Sequence, residues 1–269
     1  MLEDREVETI INEIYKYHGY DFSGYSTASF RRRLDRLYDM DNFENFSELL
    51  SKLRSDDAYF KHMVEEITVN VTEMFRDPSF YKTLRTEILP TLATKPFIRI
   101  WHAGCATGEE VFSVAILLKE LGLLHKSLLY ATDLNESVLD VAKKGIFPLR
   151  TIQQYAENYR IASGKNDFSS YYTANYGYAK FDDELISRMV FSQHNLIIDG
   201  SFNEFDLILC RNVLIYFDKD FQRIALELFD ESLSKLGYLA LGTKETIKFS
   251  SIQHRYKQFE KEKIWKKML

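Results

Sequence analysis

The residues with the clearest chemical potential lie between Ile100 and Glu110, where the chain reads IWHAGCATGEE. An apolar run ends in a loop of small residues, and two carboxylates follow where a helix should begin. Loops of this kind let a ligand approach the backbone, and many of them cradle phosphates. A P-loop ends in Gly-Lys-Ser/Thr, whereas this one ends in Gly108-Glu109-Glu110, and two acids beside a triphosphate would repel it. A nicotinamide fingerprint needs G-x-G-x-x-G with a pyrophosphate at the helix N-terminus. Here the spacing is Gly104-x-Ala106-x-Gly108, with the acids again where the anion belongs.

A third reading is a nucleoside without phosphates and with a cationic tail, and S-adenosylmethionine has that chemistry. Glu109 or Glu110 would attract its positive charge. Asp133, in YATDLN, lies 25 residues beyond Gly108, where a doubly wound fold places its ribose-binding acid. The plain alternative is a tight turn followed by two acids that suit the helix dipole. For the glutamates alone the two readings are even; loop, acids and Asp133 together favour the ligand.

Other reactive side chains are read against structural roles. Arg211 and Asn212 follow the apolar run FDLILC, at the strand end where open α/β sheets bind ligands. Tyr216, beside Phe217, reads from sequence alone as an aromatic core residue, and Cys210 as a small buried hydrophobe. His102 and His194 flank strand ends without metal-ligand spacing, so no metal centre is expected. Around Arg31, Arg32, Arg33 and Arg36, the residues Phe30, Leu34 and Leu37 share one helical face. Arg32 and Arg36 then stack on the opposite face with Arg31 and Arg33 flanking, and pairing with Asp35 and Asp39 is the simplest account.

These side chains need a scaffold. The first ninety residues read as helices, with Val7, Ile10, Ile11 and Ile14 at helical spacing and Pro78 placed for a first turn. From residue 97 the rhythm changes to strands alternating with helices: FIRIWHAG, SLLYATDL, MVFSQHNL, FDLILCRNVLIYF and YLALGT are strands, with KEKIWKKML a late candidate. DKDFQRIALELFDESLSKLG reads as one long helix. The alternation implies a parallel sheet covered on both faces. It breaks between 150 and 187, where FSSYYTANYGYAKFDDEL suggests a small antiparallel excursion.

Composition narrows the class. The chain has 269 residues, 45% hydrophobic, which suits one large domain or a large one with a small companion. No apolar run approaches the roughly 20 residues of a membrane span. The N-terminus lacks a signal-peptide core, and two cysteines make no disulfide framework, so a cytoplasmic protein is expected. A net charge of −5 does not advertise nucleic-acid binding.

Several stretches coincide with one family. NVTEMFRD (70–77), IWHAGCATGEEVFSVAI (100–116), ATDLNESVLDVAKKGIF (131–147), HNL (194–196), FDLILCRNVLIYFD (205–218) and LGTKE (241–245) occur in that family's order. In these the chain resembles the chemotaxis receptor (protein-glutamate) O-methyltransferases, the CheR type, over nearly its whole length. The resemblance implies an α/β protein: an all-helical N-terminal domain with a linker helix (1–90), then a Rossmann-like class I methyltransferase domain (91–269) carrying a small antiparallel β-subdomain (150–187).

It also implies S-adenosylmethionine as cofactor, with S-adenosylhomocysteine as product. Contacts would come from Asn70, Thr72, Arg76, Glu110, Asp133, Asn195, Leu196, Cys210 and Arg211, and from the loop residues Gly104, Ala106 and Gly108. Arg76 and Tyr216 would stand beside the transferred methyl. Arg31, Arg32, Arg33 and Arg36 would dock the acceptor, the cytoplasmic domain of a chemoreceptor, so that a monomer meets the membrane only through its receptors. The chain departs from the family at Met74 (an aromatic there), Ala106 (a serine) and Val111-Phe112 (Pro-Tyr), and KLGYLALG lacks Pro-Gly-Gly. These changes bear on substrate detail more than on the cofactor.

The implied chemistry asks little of the protein's own acids and bases. A glutamate acceptor, with an ordinary pKa of about 4.3, is already ionised at neutral pH, so no general base is needed. The work is alignment and desolvation, with Arg76 orienting the carboxylate through its planar fork. Rival readings are a carboxyl methyltransferase with another acceptor, and a non-catalytic S-adenosylmethionine sensor or adaptor.

Overall fold

The computed structural model describes residues 2–259 and 262–268. Its N-terminal helices are α1 (Asp4–His18), α2 (Thr27–Met40), α3 (Phe46–Ser55) and α4 (Asp57–Ile67). Helix α1 starts with a reciprocal capping box between Glu3 and Glu6 and stops at Gly19, whose φ of +75° closes the last turn. The expected apolar faces meet in one core: Ile10, Ile14, Phe30, Leu34, Leu37, Leu53 and Met63 are all buried. At about 1.5–3 kcal/mol per large side chain removed from water, this face sets the packing of α2.

A connecting helix follows in three parts, α5 (Pro78–Thr83), a π-helical turn (Leu84–Ile88) and α6 (Leu89–Leu92). Pro90 cannot donate an N–H, and its ring crowds the preceding turn. The widened turn, in which the Leu89 N–H reaches the Leu84 carbonyl, accommodates it.

The larger domain alternates as expected: β1 (Ile98–Ala103), α7 (Glu109–Glu120), β2 (Ser127–Asp133), α8 (Glu136–Lys144), β3 (Ile146–Pro148), α9 (Leu149–Ile161), β4 (Tyr172–Asn175), β5 (Tyr178–Phe181), α10 (Asp183–Ile186), β6 (Met189–Gln193), β7 (Phe205–Cys210), α11 (Lys219–Ser232), β8 (Leu233–Leu241), β9 (Tyr256–Gln258) and β10 (Ile264–Lys267). Seven strands form one sheet in the order β6-β2-β1-β7-β8-β10-β9. The first five run parallel, and β10 and β9 turn antiparallel. Strand β7 is buried along its whole length, as a central strand covered on both faces must be. Because β2 and β7 flank β1 on opposite sides, the strand order reverses beside β1. A ligand crevice opens at such a point.

Three boundaries differ from the sequence reading. The run FDLILCRNVLIYF is a strand only to Cys210, since Asn212 takes φ +62° and a 3-10 turn (Leu214–Tyr216) follows. The long helix ends at Ser232, and Leu233 pairs at once with Phe205; the register then shifts, and Leu236 and Gly237 pass through a bulge rather than a last helical turn. The stretch from 150 is not all β. Helix α9 fills its first part, with Ile152, Tyr155 and Tyr159 buried on one face, because tyrosine serves as a hydrophobic spacer there. The small sheet, in the order β3-β5-β4, draws its first strand from residues 146–148.

Candidate functional site at the strand-order reversal

A cleft of about 1170 Å3, open solvent at its mouth included, lies at the C-terminal ends of β1, β2 and β7. Tyr25, Ser26, Ser29 and Phe30 of the N-terminal domain form part of its wall. At its floor the loop after β1 turns through Gly104, with φ +77°; a Cβ there would lie 2.5 Å from Val213 Cγ2. Ala106 also takes a left-handed backbone, φ +46°, which aims its N–H at Asp133 Oδ2, 2.9 Å away. Asp133 Oδ1 accepts the Asn135 N–H at 3.0 Å. Burial pushes the Asp133 carboxyl pKa up, although these N–H bonds oppose the rise.

The two acids of the loop part company. Adjacent helical residues point about 100° apart, so they cannot share one ligand-facing surface. Glu110 lines the cleft, with Oε1 2.9 Å from His102 Nδ1 and Oε2 3.4 Å from Arg211 Nη1. Burial alone would raise its pKa, but the bond to His102 and the Arg211 charge outweigh it and hold the carboxyl below its ordinary value. Glu109 instead turns inward, where it accepts the hydroxyls of Thr107 (2.6 Å) and Tyr155 (3.3 Å), and burial raises its pKa. The expectation that either glutamate meets a cation narrows to Glu110.

The opposite wall is the segment from Thr68 to Asp77, which carries Asn70, Thr72 and Arg76 into the cleft. Phe75 and Asp77 take left-handed backbone, φ +54° and +58°, a conformation that costs non-glycine residues free energy and so needs anchors. Ser113 Oγ accepts the Phe75 N–H at 3.0 Å, and Asn158 Nδ2 donates to the Met74 carbonyl at 3.0 Å. Arg211 completes the hold: Nη2 donates to Asp77 Oδ2 (2.7 Å) and to the Arg76 carbonyl (3.2 Å), while its Cζ lies 4.1 Å from the Phe80 ring centre. Arg211 is therefore engaged by the protein itself. Asp77 is engaged too, and the Arg76 guanidinium faces the cleft without a salt bridge among the described residues.

Tyr216 lines the same cleft from the turn after β7, and its carbonyl accepts the Ser26 N–H at 2.7 Å. Burial pushes its hydroxyl pKa up, against the nearby guanidinium charges of Arg33 and Arg76. Asn195 and Leu196 also reach the cleft, Asn195 Oδ1 capping the Ile197 N–H at 2.9 Å. Two expected contacts do not line it. Gly108, φ +93°, serves helix packing, since a Cβ there would lie 2.9 Å from Ala142 Cβ. Cys210 is fully buried in the core beneath.

The four arginines of α2 do not share one face, since Arg33 departs from the other three. Arg31 pairs with Asp4. Arg33 reaches inward to the carbonyls of Glu66 (3.3 Å) and Thr68 (3.2 Å), at the start of the Arg76 segment. Asp35 Oδ1 accepts the Leu2 N–H rather than an arginine. Arg32 and Arg36 stay exposed and share a shallow groove outside the cleft with Arg31, Asp35 and Asp39, without a salt bridge to either acid among the described residues. Sequence reasoning assigned no role to Glu245, whose buried carboxylate accepts four backbone N–H groups around the Tyr216 turn. The motif LGTKE is its only signal in the sequence.

Comparison with known proteins gives this geometry a lineage. The family profile described as CheR methyltransferase, SAM binding domain, matches residues 70–264, and that of the CheR methyltransferase all-alpha domain matches 5–68. The chain belongs to the CheR methyltransferase family. It is 45% identical over 267 residues to "Putative methyltransferase Cher3" of Pseudomonas putida, covering 98% of this chain and 97% of that one. It is 31% identical to a chemotaxis protein methyltransferase of Borreliella burgdorferi (90% and 88% covered) and 33% identical to chemotaxis protein methyltransferase 2 of Pseudomonas aeruginosa (84% and 79%).

S-adenosylmethionine is the cofactor of this methyltransferase, and the donor set of the cleft suits it. The charged lining residues are three acids, Glu73, Glu110 and Asp133, and two arginines, Arg76 and Arg211. With Arg211 bound to protein acids, the floor favours a cation and a ribose over a polyphosphate. Among the described residues no helix is long and apolar enough to cross a membrane.

Proposed function

We propose that this methyltransferase esterifies glutamate side chains on the cytoplasmic helices of chemoreceptors. One observation carries the reading: the Arg76 guanidinium, beside Tyr216, is a cation in the cleft with no salt bridge among the described residues. An acceptor carboxylate is the group it lacks. The relatives in Borreliella and Pseudomonas aeruginosa, both chemotaxis protein methyltransferases by name, support the chemotaxis setting.

The cofactor, when bound, supplies a methyl group on a sulfonium, open to in-line displacement. Asp133 would hold the ribose, and Glu110, whose pKa is held below its ordinary value, would hold the ammonium. Asn70, Thr72, Asn195 and Leu196 complete that wall. Arg76 orients the acceptor carboxylate, and Tyr216 covers the reacting groups and keeps water out. The acceptor is already an anion, so no side chain need remove a proton. Arg32 and Arg36 offer the acceptor helix a basic contact. Each turnover replaces a carboxylate by a neutral ester, which weakens like-charge repulsion between receptor helices and biases a two-state signal.

The test is methyl-labelled S-adenosylmethionine with the purified protein and receptor-containing membranes. Label in a receptor-sized band, released by mild alkali, is expected. Because Arg31 is paired with Asp4 at the surface and Arg33 reaches backbone carbonyls, the basic face is thinner than four arginines would make it. That favours, as a second reading, another acidic acceptor. Alkali-labile label confined to soluble extract would replace the first reading by this one.

A further inference from the structure

We propose that Glu245 is a positioning residue that holds the turn bearing Tyr216 in its working geometry. The inference rests on the reading that Tyr216 faces the reacting groups. The observations on Glu245 itself stand apart from that reading.

The chain leaves β7 at Cys210 and takes a left-handed step at Asn212, φ +62°. From there the N–H groups of Asn212, Val213 and Ile215 have no strand or helix to accept them. A buried N–H without a partner is costly, so the turn needs an acceptor from elsewhere. Glu245 supplies it. Oε2 accepts the N–H groups of Asn212 at 3.0 Å and Gly242 at 2.5 Å, and Oε1 those of Val213 at 2.9 Å and Ile215 at 3.3 Å. The residue is 5% exposed and makes no salt bridge among the described residues, so converging N–H dipoles balance its charge.

The fit is close. A Cβ at Gly242 would lie 2.8 Å from both Asn212 N and Glu245 Oε2. Asn212, Val213 and Tyr216 line the cleft, whereas Glu245 does not, so its influence passes through the turn. On the far side the turn is held by the N-terminal domain, where Ser26 donates to the Tyr216 carbonyl and Asp218 to the Gly24 carbonyl, each at 2.7 Å. The carboxylate and that short bridge grip Tyr216 from two directions.

Glu245→Gln keeps the shape but turns one acceptor into a donor that faces N–H groups. Three readouts decide. In the full chain, amide exchange at 212–216 should quicken at least tenfold while exchange in the helical domain is unchanged. Methyl transfer should lose at least tenfold in kcat with the KM for S-adenosylmethionine shifted less than threefold. Joined to Tyr216→Phe, the loss in kcat should be no larger than that of the more damaging single variant, because both act through the Tyr216 side chain. Gly242→Ala, which wedges the same turn with the charge intact, should reproduce the pattern if Glu245→Gln folds poorly. Unchanged exchange, or a kcat loss that adds in full to that of Tyr216→Phe, would overturn the proposal. If the wild type labels no acceptor, the functional reading fails, and the exchange experiment still decides for Glu245.

Discussion

Ser26 of the N-terminal helical domain donates its backbone N–H to the carbonyl of Tyr216 in the methyltransferase domain, at 2.7 Å. Tyr25 and Phe217 form a one-pair antiparallel bridge beside it, and their rings meet edge to face at 5.2 Å. The helical domain is therefore part of the cleft, through its backbone as well as its side chains.

Gly24 should be intolerant of any side chain. A Cβ there would lie 2.3 Å from the Phe221 ring, and overpacking of this kind costs about 1–3 kcal/mol. Gly24→Ala is expected to lower stability by about that amount in urea titrations and to weaken methyl transfer, since the bridge to Tyr216 must shift. Full activity at unchanged stability would show that the bridge is dispensable.

Arg76→Ala should separate chemistry from folding. The side chain has no salt bridge among the described residues, so stability should stay within about 0.5 kcal/mol of the wild type. Methyl transfer should fall at least a hundredfold, and Arg76→Lys should recover only part of it, a point charge being a poor substitute for a planar fork. Retained partner binding with methylation absent in both variant and wild type would instead favour an adaptor.

Arg211→Ala should behave in the opposite way. Its side chain is 3% exposed and joins Asp77 and Glu110, and removing one member of a buried pair costs about 3–5 kcal/mol. Chemical denaturation should show this loss, and S-adenosylhomocysteine binding should weaken with it because the Arg76 segment loses an anchor.

Glu109 makes a pH prediction. Burial raises its folded pKa above the ordinary glutamate value, so the folded state holds that proton more tightly than the unfolded chain does. Its stabilising contribution is complete below the ordinary value and is lost as pH rises through the folded one. Compared with Glu109→Gln, the wild type should therefore lose relative stability between pH 4.5 and pH 7.5. A difference that stays flat, measured by urea unfolding at both values, would show that Glu109 titrates normally.

Much of the scaffold was legible because its signals are local. Apolar runs ending in small-residue turns marked β1, β2 and β7, and helical spacing marked Phe30, Leu34 and Leu37. The cleft was legible through motifs, and most of the residues picked from them line it. Glu245 was not, because an acid that binds backbone N–H groups has no complementary side chain to betray it. Arg33 was not, because a helical wheel shows direction but not reach, and its guanidinium travels to carbonyls at the end of another helix. Glu109 and Glu110 looked equivalent as letters, and only the packing of α7 against Tyr155 and His102 distinguishes them.

The segment joining the two domains is pinned near both ends, by Arg33 on the Thr68 carbonyl and by Arg211 on Arg76 and Asp77. Between those pins, Val69 to Glu73 make no backbone hydrogen bond among the described residues, and Val71 is 80% exposed. The connection is thus a threshold with fixed posts rather than a hinge. Those few residues are the stretch of the cleft wall that can shift without breaking a backbone hydrogen bond, whereas any movement of its two ends must first break the bonds of Arg33 or Arg211.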